Sequence, residues 1–181
     1  HGRSGISGFA GQLADLWLYH KEMWTFHNGL NTPHKYQSNP FTWLAQVRAT
    51  SFYWNNGEAV MGCRSGKCAS DVVALGNPLL WWVGIGALLL VLVATFYYRN
   101  WRAGIIALGY IALYVPWLAY AHRTIFVFYT VAFAPFVALA VAWMIGLLAG
   151  WATIDGSAEP APPSRRTQIT GWAFAALVTA A

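Results

Sequence analysis

The sequence predicts an all-α integral membrane protein: a polytopic helical bundle with an extracytoplasmic region of loops and one amphipathic helix. Three observations carry this. Apolar residues make up 57% of the 181-residue chain and charged residues only 9%, against about 25% charged in an ordinary soluble domain. The stretch Leu79 to Tyr98 reads LLWWVGIGALLLVLVATFYY and holds no charge, long enough to cross a hydrocarbon core of about 30 Å. Composition also changes at Asn77-Pro78. Residues 1–78 hold four of the six acidic residues and four of the five histidines, whereas residues 79–150 hold no acidic residue and only Arg99, Arg102 and Arg123 as basic ones. That is a change of solvent.

Composition excludes other classes. A disordered chain would be poor in aromatics and rich in charge, and this one is 17% aromatic. Two cysteines do not make a disulfide miniprotein. The net charge of +5 is spread over scattered Lys and Arg, with Arg165-Arg166 the only adjacent pair. No basic patch for nucleic acid is legible.

Two units follow. Residues 1–78 are the extracytoplasmic loop region, and residues 79–181 are the transmembrane module. In the first, Leu13, Leu16, Trp17, His20, Trp24 and His27 recur at three- and four-residue steps. This predicts an amphipathic helix from about Gly11 to Asn28 lying at the membrane surface, stopped by Gly29. Asn31 to Pro40 is a loop, with Ser38 or Asn39 as an N-cap and Pro40 at the first helical position. Thr42 to Trp54 is a short helix followed by a strand, and Asn55-Asn56-Gly57 is a turn. In the second unit, spans run over about 79–98, 103–120 and 125–150, and from 169 onward. Pro116 and Pro135 lie inside the second and third. Trp81, Trp82, Tyr97 and Tyr98 supply the aromatic belts of the first. The chain opens at His1 without an initiator Met and stops a short way into its fourth apolar segment, so it reads as an internal or truncated segment.

Orientation comes from basic residues, which favour the cytoplasmic side. Loops 99–102 and 151–168 each carry two Arg and are expected inside. Residues 1–78 and the His122-Arg123 turn are then outside.

Few residues suggest chemistry. Cys63 and Cys68 are separated by four residues, a spacing that closes a small disulfide loop outside the membrane; free thiols are the alternative. A metal reading lacks two further ligands at suitable spacing. His20, His27 and His34 recur every seven residues. They are either interfacial histidines bonded to a loop or contacts for a substrate or lipid phosphate; zinc would want i, i+4 spacing. The run His34-Lys35-Tyr36-Gln37-Ser38-Asn39-Pro40 beside Trp43 is a capped turn or an acceptor or sugar surface. Arg123 at the edge of a span is costly unless it holds a partner. Its guanidinium suits a phosphate, with an interfacial snorkelling role as the alternative. No nucleophile triad, Walker loop or dinucleotide fingerprint is present.

Several ordered motifs carry a resemblance: Tyr19-His20-Lys21-Glu22-Met23, Phe26-His27, His34 through Trp43, Arg48 through Trp54, Gly76-Asn77-Pro78-Leu79-Leu80-Trp81-Trp82, and Trp117 through Arg123 to Tyr129 and Pro135. Together with Gly62-Cys63 and Cys68, they resemble the C-terminal four-span module of protein O-mannosyltransferases, in their bacterial, actinobacterial-type branch. The resemblance covers nearly all of residues 10–150. It implies a polytopic inverting glycosyltransferase of the C type. Such enzymes move mannose from a polyprenyl- or dolichyl-phosphate donor to Ser or Thr hydroxyls of exported proteins, on the extracytoplasmic face of the plasma membrane. The lipid-linked sugar is then substrate, and no cofactor is implied. Membrane lipid, exported acceptor proteins and the secretion translocon are the implied partners. Arg123 falls in the family's C-terminal Arg motif and is expected to hold the donor phosphate. His20, His27, His34, Tyr36 and Ser38 match the family pattern and are expected to line the site. His34-Lys35-Tyr36 departs from the more usual His-Pro-Tyr. The family's catalytic acidic pair lies in the first extracytoplasmic loop, and none of Asp15, Glu22, Glu58 or Asp71 matches it. The catalytic base is therefore unknown, and this chain alone is expected to be inactive. The rival readings are a non-catalytic membrane scaffold or binding subunit, and a related lipid-phosphate-sugar transferase with another acceptor.

Overall fold

A computed structural model describes residues 8–56, 68–157 and 164–180. It is mostly helical, with one β-hairpin whose first strand overlaps the strand expected within Thr42 to Trp54 and whose second was not expected.

Helix α1 runs Gly8–Asn28. No proline interrupts it, and it ends where the Gly29 N–H donates to the Thr25 carbonyl at 3.2 Å. It starts three residues earlier than the periodicity predicts, and Gly11 is its one buried residue. Its aromatic arc of Phe9, Trp17, Tyr19, Trp24 and Phe26 is exposed, as a helix seated in an interface would leave it. After a loop, Asn39 caps a single 3-10 turn, Pro40–Thr42, by accepting from the Phe41 N–H at 3.0 Å. Of the two predicted caps, the structure uses Asn39.

Strand β1 (Thr50–Asn56) pairs antiparallel with β2 (Ala69–Ala74), with an irregularity between Ser51 and Tyr53. The predicted turn at Asn55-Asn56 is instead the end of β1, where these residues pair with Ser70 and Ala69. Cross-strand pairing satisfies their backbone groups, which outweighs the turn preference of Asn. Gly57 lies outside the described residues, as does Glu58.

Helices α2 (Pro78–Phe96) and α3 (Trp101–Ala119) are both long and apolar enough to cross a membrane. Pro116 sits in the last turn of α3. The third predicted span divides. An extended stretch leads into a 3-10 segment over Val127–Ala132, and only then does α4 run Ala134–Leu148. Pro135 falls in the first turn of α4. There its missing N–H costs nothing, so it starts a helix rather than kinking one. Helix α5 (Arg165–Ala180) packs on α4 and α2.

Helices α2, α3 and α4 pack mutually. Small residues let their backbones approach, as in membrane bundles generally. Ala87, Val91 and Ala94 of α2 meet Ala103 and Ala107 of α3, and Ala140 and Val141 of α4. A methyl at Gly84 would come within 2.5 Å of Val137 Cγ1. Towards the hairpin end the core becomes aromatic: Trp43, Trp81, Tyr110, Tyr114 and Phe133, with Ile125, Val127 and Val137. This half of the core carries the candidate site.

Candidate functional site

The site is built where the loop after α1 meets the extended stretch after α3. Two backbone hydrogen bonds lace them together: Thr124 N–H to the Leu30 carbonyl at 3.1 Å, and Ser38 N–H to the Ile125 carbonyl at 2.9 Å. The Thr124 hydroxyl adds a bond to the Thr32 carbonyl. This lacing sets His34 edge-on to Phe126, with ring centroids 5.2 Å apart. It also holds Arg123 beside the end of α1.

Arg123 turns its guanidinium over the Tyr120 ring, 5.7 Å from the centroid. The residue is half-buried. Its Nε lies out of contact with solvent and has no hydrogen-bond partner among the described residues. A buried donor left unmade costs about 1–3 kcal/mol, more when charged. The group therefore sits in a cleft of about 200 Å3 formed by Trp24, His27, Asn28, Pro116, Trp117, Tyr120 and Arg123. Trp117 stacks on Tyr129 at 4.7 Å with rings nearly parallel, 6° apart, and Trp24 meets Tyr120 edge-on at 5.8 Å. No carboxylate lines this cleft among the described residues. Trp24 and His27 also line a second, almost wholly apolar cavity of about 570 Å3 along α1, with Trp17, His20, Lys21 and Met23. An exposed apolar groove along α1 thus adjoins a guanidinium whose Nε has no partner among the described residues, a pairing of surfaces that suits an amphiphile with an anionic head.

The predicted site residues separate into three places. His27 and Arg123 share the cleft, and His20 lies about two turns away from His27 on α1, along the adjoining cavity. The His20 ring is anchored at Nδ1 to the Leu16 carbonyl at 2.8 Å. His34 and Tyr36 stand on the loop: His34 Nδ1 accepts from the Tyr36 N–H at 3.2 Å, and the rings are 5.9 Å apart. Ser38 is 8% exposed. Its hydroxyl accepts from Trp43 Nε1 at 2.8 Å, so it holds the indole that forms the floor of the loop. Trp43 has no exposed surface, and the Tyr114 hydroxyl donates to the Pro40 carbonyl at 3.0 Å just beside it.

Of the acidic residues, Asp71 accepts from the Ser51 hydroxyl across the hairpin, and Glu22 lines a different side of α1. Glu58 and Glu159 lie outside the described residues. So does Cys63, while Cys68, directly before β2, is not a free thiol. No group of three or more metal-ligating side chains occurs among the described residues.

Sequence reasoning missed Trp24, Asn28, Trp117 and Tyr120 as lining residues. The three-residue spacing of Tyr120 and Arg123 was the available signal.

Membrane-capable helices with an arginine-bearing aromatic cleft at one end define the class: a part of a polytopic membrane protein. The model of the C-terminal four TMM region of protein-O-mannosyltransferase matches residues 12–181. The chain belongs to the protein O-mannosyltransferase family. It is 33% identical over 138 residues to the polyprenol-phosphate-mannose–protein mannosyltransferase of Mycolicibacterium smegmatis, covering 74% of this chain and 27% of that protein. It is 28% identical over 149 residues to the protein of the same name from Mycobacterium tuberculosis, covering 80% and 28%. The fold matches a solved structure of the Saccharomyces cerevisiae protein O-mannosyltransferase Pmt1-Pmt2 complex bound to the sugar donor. That match has a TM-score of 0.60 and 20% identity, over 96% of this chain and 23% of that one. The chain thus spans about a quarter of the length of these relatives.

Proposed function

We propose that this chain is the donor-phosphate end of an enzyme that moves mannose from a polyprenyl-phosphate-mannose donor to Ser or Thr hydroxyls of exported proteins. The observation that carries the reading is Arg123. Its buried, unpartnered Nε faces a cleft that continues into an apolar cavity along α1. A guanidinium offers a permanent fork of donors to a phosphate, and the charge on the leaving lipid phosphate grows as the glycosidic bond breaks. A cation aimed at that charge lowers the barrier most when water is excluded. The aromatic rings of Trp24, Trp117 and Tyr120 form walls of the cleft around Arg123. The apolar cavity past His27 receives the isoprenoid next to the phosphate, and His20, His34 and Tyr36 line the approach. The names of the mycobacterial relatives, which specify a polyprenol-phosphate-mannose donor and a protein acceptor, support the same reading.

The acceptor hydroxyl must lose a proton to a base. The cleft has no carboxylate among the described residues, so the base comes from elsewhere in the enzyme, and this chain alone transfers no sugar. The lipid-linked sugar is a substrate, and the reading calls on no cofactor. The module sits in the plasma membrane with residues 1–78 outside, where acceptors emerge from the translocon. Cys63 and Cys68 form a disulfide on that side.

The test is Arg123→Ala in the full-length enzyme, assayed at limiting donor. Loss of one charge-assisted contact of about 1.5–3 kcal/mol corresponds to a fall in kcat/KM for the donor of roughly 10- to 150-fold, with partial recovery in Arg123→Lys. Unchanged transfer at limiting donor overturns the assignment. A lipid acceptor preferred over a protein one would instead favour a related transferase.

A further inference from the structure

The end of the bundle opposite the Arg123 cleft carries a second cationic surface, which the proposed transfer does not use. Between α2 and α3 the chain turns through Tyr97 to Asn100. Arg99 there takes φ +55°, a left-handed conformation that L side chains seldom adopt. The turn is held firmly by Asn100, which is 3% exposed. Its N–H donates to the Ala94 carbonyl at 2.9 Å, and its Nδ2 donates to the Ile154 carbonyl at 3.2 Å. Its Oδ1 accepts from the Arg102 and Ala103 N–H groups at 3.0 and 3.4 Å. Those bonds already cap the first turn of α3, so an anion here would be held by side chains rather than by the helix end.

Two guanidiniums are presented. Arg102 lies 5.4 Å over the Trp101 ring, and its Nη1 donates to the Gly156 carbonyl at 3.4 Å. Arg99 is exposed. Among the described residues no carboxylate pairs with either. Asp155 stands next to Gly156, but its Oδ1 accepts from the Ser157 N–H at 3.1 Å and the Ser157 hydroxyl at 2.8 Å. Tyr97 and Trp101 flank the pair with 79% and 67% of their surface exposed. Both side-chain types are most stable at headgroup depth.

We propose that Arg99 and Arg102 form a headgroup site for an anionic phospholipid of the leaflet facing this end of the bundle. Charge complementarity selects the occupant. Two guanidiniums with no carboxylate partner among the described residues suit a phosphodiester, and the exposed aromatic rings beside them fit a lipid interface better than bulk water. The proposal needs only that α2 and α3 span a bilayer. It stands whether or not Arg123 holds a donor.

The test is lipid retention measured by native mass spectrometry from nanodiscs of phosphatidylcholine doped with phosphatidylglycerol. The unaltered protein is expected to retain phosphatidylglycerol preferentially. Arg102→Gln and Arg99→Gly should each lower that preference about five-fold, the effect of one basic residue near an anionic surface. Arg99→Gly also relieves the left-handed backbone, so its loss of preference is not a folding defect. Lys35→Gln, at the other end of the molecule, should change nothing. Three results would each overturn the site: no preference in the unaltered protein, full preference in both variants, or an equal loss in Lys35→Gln. Displacement of the lipid by millimolar glycerol phosphate would assign the cluster to a soluble phosphate instead.

Discussion

Ser38 and Arg123 sit on the two sides of one backbone lacing and do different work. Arg123 was legible from sequence because a charge at the edge of a span has few reasons to be there. The structure adds that its Nε is buried and unpartnered. Ser38 was legible only as part of a polar run. Its bond to the Trp43 indole exists because Asn39 and Pro40 turn the chain back on itself. Ser38→Ala leaves that buried indole N–H without an acceptor, at a cost of about 1–3 kcal/mol. Thermal unfolding of the purified protein should show the loss, and Ser38→Thr should restore most of it. An unchanged unfolding temperature in the alanine variant would mean that the indole finds another acceptor.

At the scale of elements, the helices were legible and the hairpin only in part. α2 matches its expected span almost residue for residue, because an uncharged apolar run flanked by aromatics has one stable environment. The 3-10 segment before α4 was not legible. Pro135 is compatible with either a kink or a helix start, and burial of Phe133 against Trp81, Tyr110 and Tyr114 decides for the start. Strand β2 was missed because its residues alternate weakly, and pairing with β1 is what makes it a strand. A two-stranded hairpin is marginal by itself, and both strands are largely exposed. A Cys63–Cys68 bridge in the connection between them would offset this. Alkylation without reduction should therefore modify neither cysteine, and reaction of both under those conditions would refute the bridge.

For the whole molecule, the loops at opposite ends of the bundle should lie on opposite sides of the membrane. A single cysteine replacing Asn31 should react with an impermeant maleimide added to intact cells, and one replacing Ser157 should react only after permeabilisation. The reverse pattern would invert the orientation. What the sequence by itself determined was the order of the apolar helices and the family. Each depends on the transfer free energy of a local run or on ordered local motifs, and neither requires knowing which distant residues meet. The cleft was decided only by tertiary structure. It needs Thr124 bonded to Thr32, 92 residues away, and Ser38 bonded to Ile125. Any of these polar groups would be equally satisfied by water in an open chain. Burial of Trp43, Ile125 and Phe133 in one shared core is what brings the partners together and leaves Arg123 facing His27.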